Sequence, residues 1–281
     1  MRILITGITS IHGWPLYKRL RDQMPPDQLM GIRPPKMRVP DGPNVISLCV
    51  TNAEELRKIR DTFAPTHVIH AAGVCDLDVC EERPLWARDI NTGGARVIAA
   101  VFGAKSYVLH LSTDLVFSGE SSPGGGYAED APLDPISIAG KTFAAGEEYI
   151  RQCSRWCIVR LGLPIGASIT GDKGAIDWIE SRFRKNRPVT LFKDEWRSCI
   201  LCEEIAERIV GLLTRKAQGI FHCGGDRPLS LYDVGRMVLA RGPYPDHLLS
   251  GILRREEVNG PPRIGNVALN SVKIRQFLAC S

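Results

Sequence analysis

The sequence has no apolar run approaching the roughly 20 residues of a membrane span, and no stretch in which basic and aromatic residues interleave as a nucleic-acid surface would. No charged-then-apolar leader precedes the first strand-like run, MRILITG, so no signal peptide is expected. These absences lead to the expectation of a cytoplasmic protein with neither membrane nor nucleic-acid partners. Metal-ligand spacing is also missing. The nine cysteines form no regular framework and are odd in number, which suits reduced, packed thiols. Cys199 and Cys202 are the one pair at motif spacing, and residues three apart in an extended segment point to opposite faces, so no metal or redox centre is expected there. Charge is nearly balanced: 36 Lys and Arg against 31 Asp and Glu leave +5, modest for this length and suited to an anionic cofactor or a nucleotide-linked substrate.

What is present is alternation. At 281 residues, 44% hydrophobic, the chain can bury one substantial α/β core and a small second lobe. Strand and helix signals alternate from Met1 to about Leu163, which predicts a Rossmann-type doubly wound parallel sheet over residues 1–163. Residues 164–281, broken by Pro- and Gly-rich stretches at 242–245 and 259–262, are expected to form a smaller C-terminal substrate lobe, with 197–223 returning to the main sheet. MRILITG ends in Gly7, and the spacing in ITSIHGWPLYKRL predicts a helix beginning near Gly13. Such a strand–turn–helix opening resembles the T-G-x-x-G-x-x-G dinucleotide fingerprint, whose glycines let backbone approach a pyrophosphate at a helix N-terminus. Gly7, Ser10, Ile11, His12 and Gly13 would hold it. Ser10 replaces the middle glycine: its hydroxyl can donate to phosphate, while its Cβ restricts φ and crowds the ligand.

Cofactor choice is read at the end of the second strand. LMGIRPPKMR places Arg33 directly after the apolar run, near Lys36 and Arg38, with no acidic residue to accept a ribose 2′-hydroxyl. A guanidinium there suits a 2′-phosphate, so NADP(H) is expected over NAD(H); the alternative is a solvated basic loop broken by Pro34 and Pro35. In VISLCVTNAEELRKI, Thr51 and Glu54 are spaced as a capping box. HVIHAAG reads as a buried strand followed by a small-residue turn, Ala71, Ala72 and Gly73, with His70 a packed strand-end residue. Two further motifs follow. LDVCEERP and WARDIN carry Asp78, Glu81 and Asn91; SYVLHLSTDLVFSG carries a strand ending in Ser112, Thr113 and Asp114.

The segment EDAPLDPISIAGKTFAAGE, Glu129 to Glu147, ties these motifs to one family. It resembles the E-x-D-x-P-x-x-P-x-x-x-Y-G-K-T-K-x-A-G-E helix of the extended short-chain dehydrogenases/reductases of the dTDP-4-dehydrorhamnose reductase group, and the resemblance covers nearly the whole chain. Ala139 and Phe143 occupy the places of that group's Tyr and Lys. In the group the phenol acts as proton donor, and a phenol near pKa ~10 is too weak until an ammonium one helical turn away lowers it. Neither a methyl nor a benzyl group titrates. Lys141 projects about 200° round the helix from Phe143; Ser137 and Lys141 are also four apart, but pairing them shifts the frame by two residues.

The resemblance implies that Thr113 positions a substrate carbonyl, with Asp114 beside it as a second candidate catalytic residue. It also implies that Ala71, Ala72, Gly73, Asn91, Ser112 and Phe143 line the cofactor alongside the glycine turn and Arg33. Thr113 bonded only to local backbone is the alternative, and for Asn91 a purely structural role. Cys49 stands where the group often has an acidic residue near adenine. Arg182, Arg184, Lys185 and Arg187 form either a solvated face or a diphosphate contact. Helices within 85–102 and 139–152 are those through which members pair as homodimers. Two functional classes follow: a reductase-like enzyme whose substrate, an imine for example, needs no Tyr/Lys pair, or a nucleotide-binding regulatory subunit of a heteromeric enzyme, as the beta subunit of methionine adenosyltransferase is in this group.

Overall fold

In the computed structural model, residues 1–35, 37, 44–171, 174–258 and 260–280 are described. Seven strands form one parallel sheet: β1 (Ile3–Thr6), β2 (Leu29–Arg33), β3 (Val45–Ser47), β4 (His67–His70), β5 (Tyr107–Thr113), β6 (Trp156–Leu161) and β11 (Gly219–Cys223). Their spatial order is β11-β6-β5-β4-β1-β2-β3. This is the doubly wound arrangement, with a seventh strand added beside β6. The register carries Thr6 beside His70, and His70 beside His110.

Near-continuous apolar strands form a two-sided core because parallel strands are covered on both faces. Ile3, Ile5, Ile69, Leu109 and Val159 pack on one face under α1 (Gly13–Gln23), α8 (Cys202–Thr214) and Ile274 of α10 (Val272–Ala279). Their neighbours Leu4, Val68, Val108 and Ile158 point the other way. Those meet α2 (Ala53–Thr62), α5 (Gly94–Phe102) and α6 (Ile138–Ile150). Between β4 and α5 the chain makes two short helices, α3 (Leu77–Glu82) and α4 (Pro84–Arg88), and a π-turn at Asp89–Gly93.

Beyond β6 lie β7 (Pro164–Ile165), α7 (Gly174–Arg184), β8 (Val189–Phe192), β9 (Trp196–Ser198) and β10 (Ile200–Leu201). Beyond β11 are β12 (Pro228–Ser230), α9 (Leu231–Leu239) and β13 (Leu249–Ile252). A separate apolar cluster of Ile179, Phe183, Val189, Leu191, Val234, Val238 and Leu248 holds α7, α9 and β8 together. Residues 202–223 lie against the main sheet: α8 covers it beside α1, and β11 pairs with β6.

Helix starts differ from expectation once. The first residue of α2 follows Asn52, whose side chain accepts the Glu55 amide at 3.2 Å, so the Thr51–Glu54 capping box does not form. Thr51 sits one residue too early, and its hydroxyl lies 3.1 Å from the Cys49 thiol. Ser230 and Asp233 do close a capping box at α9. Among the described residues, no helix is long and apolar enough to cross a membrane.

Candidate functional site

A doubly wound sheet leaves a crevice at the carboxyl ends of the two strands where the winding reverses, and ligands of such sheets bind there. In this chain those strands are β1 and β4, so the crevice is lined by residues 7–13 and 71–73. Gly7 has φ +71°, and a Cβ on it would fall 2.5 Å from the Ala72 nitrogen. A Cβ on Gly13 would strike the Gly7 carbonyl oxygen. Both glycines are therefore required by the close approach of the turn to β4 and to itself.

Ser10 lies outside the left-handed region and carries no backbone strain. Its hydroxyl accepts the Gly13 amide at 2.9 Å, turning inward to the helix rather than outward to a ligand. The Ile11 and His12 amides have no acceptor among the described residues, which leaves two donors at the N-terminus of α1. The His12 Nδ1 is buried without a partner, and burial lowers its imidazole to about 4, so it is neutral at pH 7. The Ile11 side chain rests on Gly174 at the start of α7. Arg33 ends β2, and its Nη1 donates to the Met37 carbonyl at 2.9 Å. Lys36 and Arg38 lie outside the described residues.

Ala71 and Ala72 run against Gly7, and the exposed Gly73 follows them. The Phe143 ring tip fills the space above Gly73: a Cβ there would stand 2.5 Å from Cζ and 3.0 Å from Cε1. The same ring stacks on His110 at 6.4 Å, and His110 on His70 at 5.1 Å. Asn91, on the π-turn, has a structural arrangement. Its Oδ1 accepts the Val74 amide at 2.7 Å, and its Nδ2 donates to the Val74 carbonyl and to Thr142 Oγ1, both at 2.9 Å.

The start of α6 settles the Ser137–Lys141 alternative. Ser137 is the buried N-cap, accepting the Gly140 amide at 3.1 Å, and Lys141 is exposed on the outer face. Ala139 is fully buried among Leu77, Cys80, Leu115 and Phe117. Among the described residues, α6 directs neither a phenol nor an ammonium at Gly73.

The two hydroxyls at the end of β5 part company because neighbouring strand residues face opposite ways. Ser112 Oγ donates to Glu147 Oε1 at 2.7 Å, inside a buried network in which Arg160 donates to both Glu147 oxygens at 3.0 and 2.8 Å. The structure thus gives Ser112 to α6 rather than to the glycine turn. Thr113 keeps 6% of its surface; its Oγ1 donates to Asp114 Oδ1 at 3.2 Å and accepts the Leu115 amide at 3.3 Å. Asp114 is fully buried and bidentate to Arg197, with Nε to Oδ2 at 2.7 Å and Nη2 to Oδ1. Burial holds the Asp114 carboxyl above the usual carboxylate range, the Arg197 guanidinium offsetting only part of the rise. Two residues before Arg197, Glu195 is buried with both carboxylate oxygens unpartnered. Burial pushes it up to about 7, against the pull of Arg197 and Arg263.

Arg197 and Glu147 escaped the sequence reading. Glu147 closed a recognised motif, but nothing in its spacing announces Ser112 as a partner. Arg197 stands 83 residues from Asp114, in a segment notable only for its return to the sheet.

The sequence profile of the family described as RmlD substrate binding domain matches residues 1–280. The chain is 28% identical over 242 residues, 84% of itself and 77% of the relative, to a dTDP-4-keto-6-deoxy-D-glucose reductase of Streptomyces niveus. It is 24% identical over 284 residues, 98% of itself and 82% of the relative, to the methionine adenosyltransferase 2 subunit beta of Xenopus laevis. Among solved structures it resembles the dTDP-4-dehydrorhamnose reductase of Bacillus anthracis in complex with NADP, with a TM-score of 0.81 at 19% identity, covering 98% of this chain and 92% of that one. That last likeness concerns the fold.

Proposed function

The chain belongs to the RmlD substrate binding domain family, and from that membership we propose that it binds a pyridine dinucleotide, NADP(H) in preference to NAD(H), beside a nucleotide-linked substrate. The turn fits such a cofactor: Gly7 and Gly13 cannot carry side chains, and the Ile11 and His12 amides await an anion. Arg33 at the end of β2 would face a 2′-phosphate, with Ala71, Ala72 and Gly73 beneath the cofactor. When bound, the dinucleotide supplies or takes a hydride.

What this chain's own residues supply is altered. The reading is carried by one observation: the Phe143 ring is seated against Gly73, and Ala139 is buried in the core. On this reading Ala139 and Phe143 stand where the Tyr and Lys of the family's reductases stand, and no group on α6 protonates a carbonyl oxygen. General acid–base catalysis is worth about 10²–10⁴-fold, so efficient ketone reduction by the usual mechanism is not expected, while hydride transfer to an iminium, which needs no proton on oxygen, stays open. The test is absorbance at 340 nm with NADPH and a panel of ketones and imines, repeated with the Ala139→Tyr/Phe143→Lys double variant. Carbonyl reduction gained only by the double variant supports the reading. Efficient ketone reduction by the unaltered protein sinks it.

A second reading is favoured by the relative among methionine adenosyltransferase beta subunits, which spans 98% of this chain. On it the protein binds the dinucleotide without turnover and serves a heteromeric enzyme. Tight NADPH binding, no consumption with any substrate, and co-purification of an enzyme partner would select it. Pairing with a second copy, through helices within 85–102 and 139–152, belongs to either reading; Leu85 on α4 is 81% exposed there.

A further inference from the structure

An extended run points alternate side chains to opposite sides. Along the run that leads into β9, Trp196 faces outward, while Glu195 and Arg197 are both buried on the inner side. Two more arginines are brought to the same place. The Asp194 carboxylate accepts the Arg254 amide at 2.9 Å, and the Trp196 amide donates to the Gly265 carbonyl, two residues past Arg263. Each of the three guanidiniums reaches back to an acid of the first lobe: Arg197 to Asp114 at 2.7 Å, Arg254 to Glu120 at 2.6 Å and Arg263 to Asp78 at 2.7 Å. Asp194 lies 3.5 Å from Arg254 Nε, and Asp233 on α9 is taken up by the Ser230 cap. Glu195 is the carboxyl left over, with neither oxygen bonded among the described residues.

Arg263 is the cation that Glu195 can win. Arg197 is held by both Asp114 oxygens, and Arg254 donates both to Glu120 and to the Arg263 carbonyl. Arg263 holds Asp78 through one nitrogen, Asp78 is 60% exposed, and the Arg263 Nε is buried without a partner. An ion pair with so exposed a carboxylate is worth little, whereas an ionised carboxylate buried alone is costly. We infer that Arg263 is shared between the lobes under proton control: with Glu195 uncharged it stays on Asp78 and clamps α3 to the second lobe, and with Glu195 ionised it moves to Glu195 and lets α3 go. Helix α3 begins at the Asp76 cap, directly after the turn that lines the crevice, so the clamp governs how firmly the crevice is closed. The inference does not depend on what the crevice binds.

Burial holds Glu195 at about 7 in the clamped form, against the pull of Arg197 and Arg263. Paired with a guanidinium or freed into water, it returns to the usual carboxylate range, ~4.3 or below. A group raised in this way keeps the clamp fully closed below the usual range and releases it as pH rises toward 7.

Hydrogen exchange of the α3 amides, expressed as protection relative to the unfolded chain at each pH, reads the clamp without a ligand. Protection in the unaltered protein is expected to fall about tenfold between about pH 5.5 and 7.5, as one group changes charge. Glu195→Gln, which cannot ionise, is expected to keep its low-pH protection throughout. Asp78→Asn removes the far end of the clamp and is expected to show low protection at both pH values. Unchanging protection in the unaltered protein overturns the inference, and so does a tenfold fall that persists in Glu195→Gln. Should Glu195→Gln fail to fold, the surface variant Asp78→Asn decides: a flat profile supports the inference, and a persisting tenfold fall overturns it.

Discussion

Substituting Gly73 by alanine tests whether Phe143 is seated where the structure puts it. Gly73 lies outside the left-handed region, so its backbone tolerates a side chain, and the cost of adding one comes from contact alone. The new methyl would stand 2.5 Å from Phe143 Cζ and 3.0 Å from Cε1, and 3.4 Å from Asn91 Oδ1. Overpacking of this kind costs about 1–3 kcal/mol. Against it stands a gain of about 0.4–1 kcal/mol, because alanine restricts the unfolded chain more than glycine does. Phe143 is held from behind by His110 and cannot simply retreat. Gly73→Ala alone should therefore destabilise by about 1–2 kcal/mol. In a Phe143→Leu background the ring tip is gone, and the same substitution should be neutral or stabilising, giving a coupling of about 1–3 kcal/mol. Urea unfolding of the four proteins, read from midpoints at constant slope, closes the cycle. If Gly73→Ala costs the same in both backgrounds to within about 0.5 kcal/mol, Phe143 does not lie on Gly73 and the account of an altered crevice fails with it.

Three further outcomes follow from the same contacts. Acid should destabilise the fold between pH 6.5 and about 4 through His110, whose buried imidazole is lowered to about 4 while the unfolded chain takes up its proton near 6.5; the loss is on the order of 3 kcal/mol, and a His110→Leu variant should unfold with a visibly flatter pH dependence, an unchanged slope being the contrary result. His222, lowered to about 3 by burial and by Arg160, works in the same sense, whereas Glu195, raised to about 7, works against them, so the comparison of variants rather than the raw profile is the measurement. Glu147→Gln should cost about 3–5 kcal/mol by leaving the Arg160 guanidinium buried without its carboxylate, and the Glu147→Gln/Arg160→Met pair should cost less than Glu147→Gln alone; a larger loss in the pair would refute the ion-pair account. Arg33→Ser should weaken NADPH binding by about tenfold or more, the worth of charge-assisted hydrogen bonds, and leave NADH binding unchanged in a fluorescence titration; equal losses for both would remove Arg33 from cofactor choice.

The fold was legible because its signals are local and agree with one another. MRILIT, HVIH and YVLHLST are short apolar runs of strand length, each followed by a turn, and each became a strand of the parallel sheet. Helix boundaries were legible to within a residue: Gly13 opened α1 as expected, while Asn52 rather than Thr51 capped α2, since both carry cap-competent side chains and the pattern does not separate neighbours. The π-turn at Asp89–Gly93 left no pattern at all. Yet it is what turns Asn91 toward Val74. The crevice was less legible, for two physical reasons. Strand alternation says that Ser112 and Thr113 face opposite sides without saying which side holds Glu147, and only the packing of α6 decides that. The Arg197–Asp114 pair, between residues 83 apart, depends on how the second lobe meets the sheet, which no window of sequence contains.

Helix α6 carries two kinds of residue, those that bond it to its surroundings and those that only pack. Thr142 holds the helix to its neighbours through Asn91, Ser137 caps its first turn at the Gly140 amide, and Glu147 ties it to β5 and β6 through Ser112 and Arg160. None of these bonds involves Ala139 or Phe143. The helix can therefore keep its seat whatever stands at those two positions, provided that volume is respected: Ala139 packs into an apolar cluster, and Phe143 has a glycine opposite it. That second condition is the informative one. The Phe143 ring demands room at its tip, and Gly73 is the residue that leaves it. The fit between residues 73 and 143, in the turn after β4 and on α6 respectively, makes this side of the crevice an apolar contact.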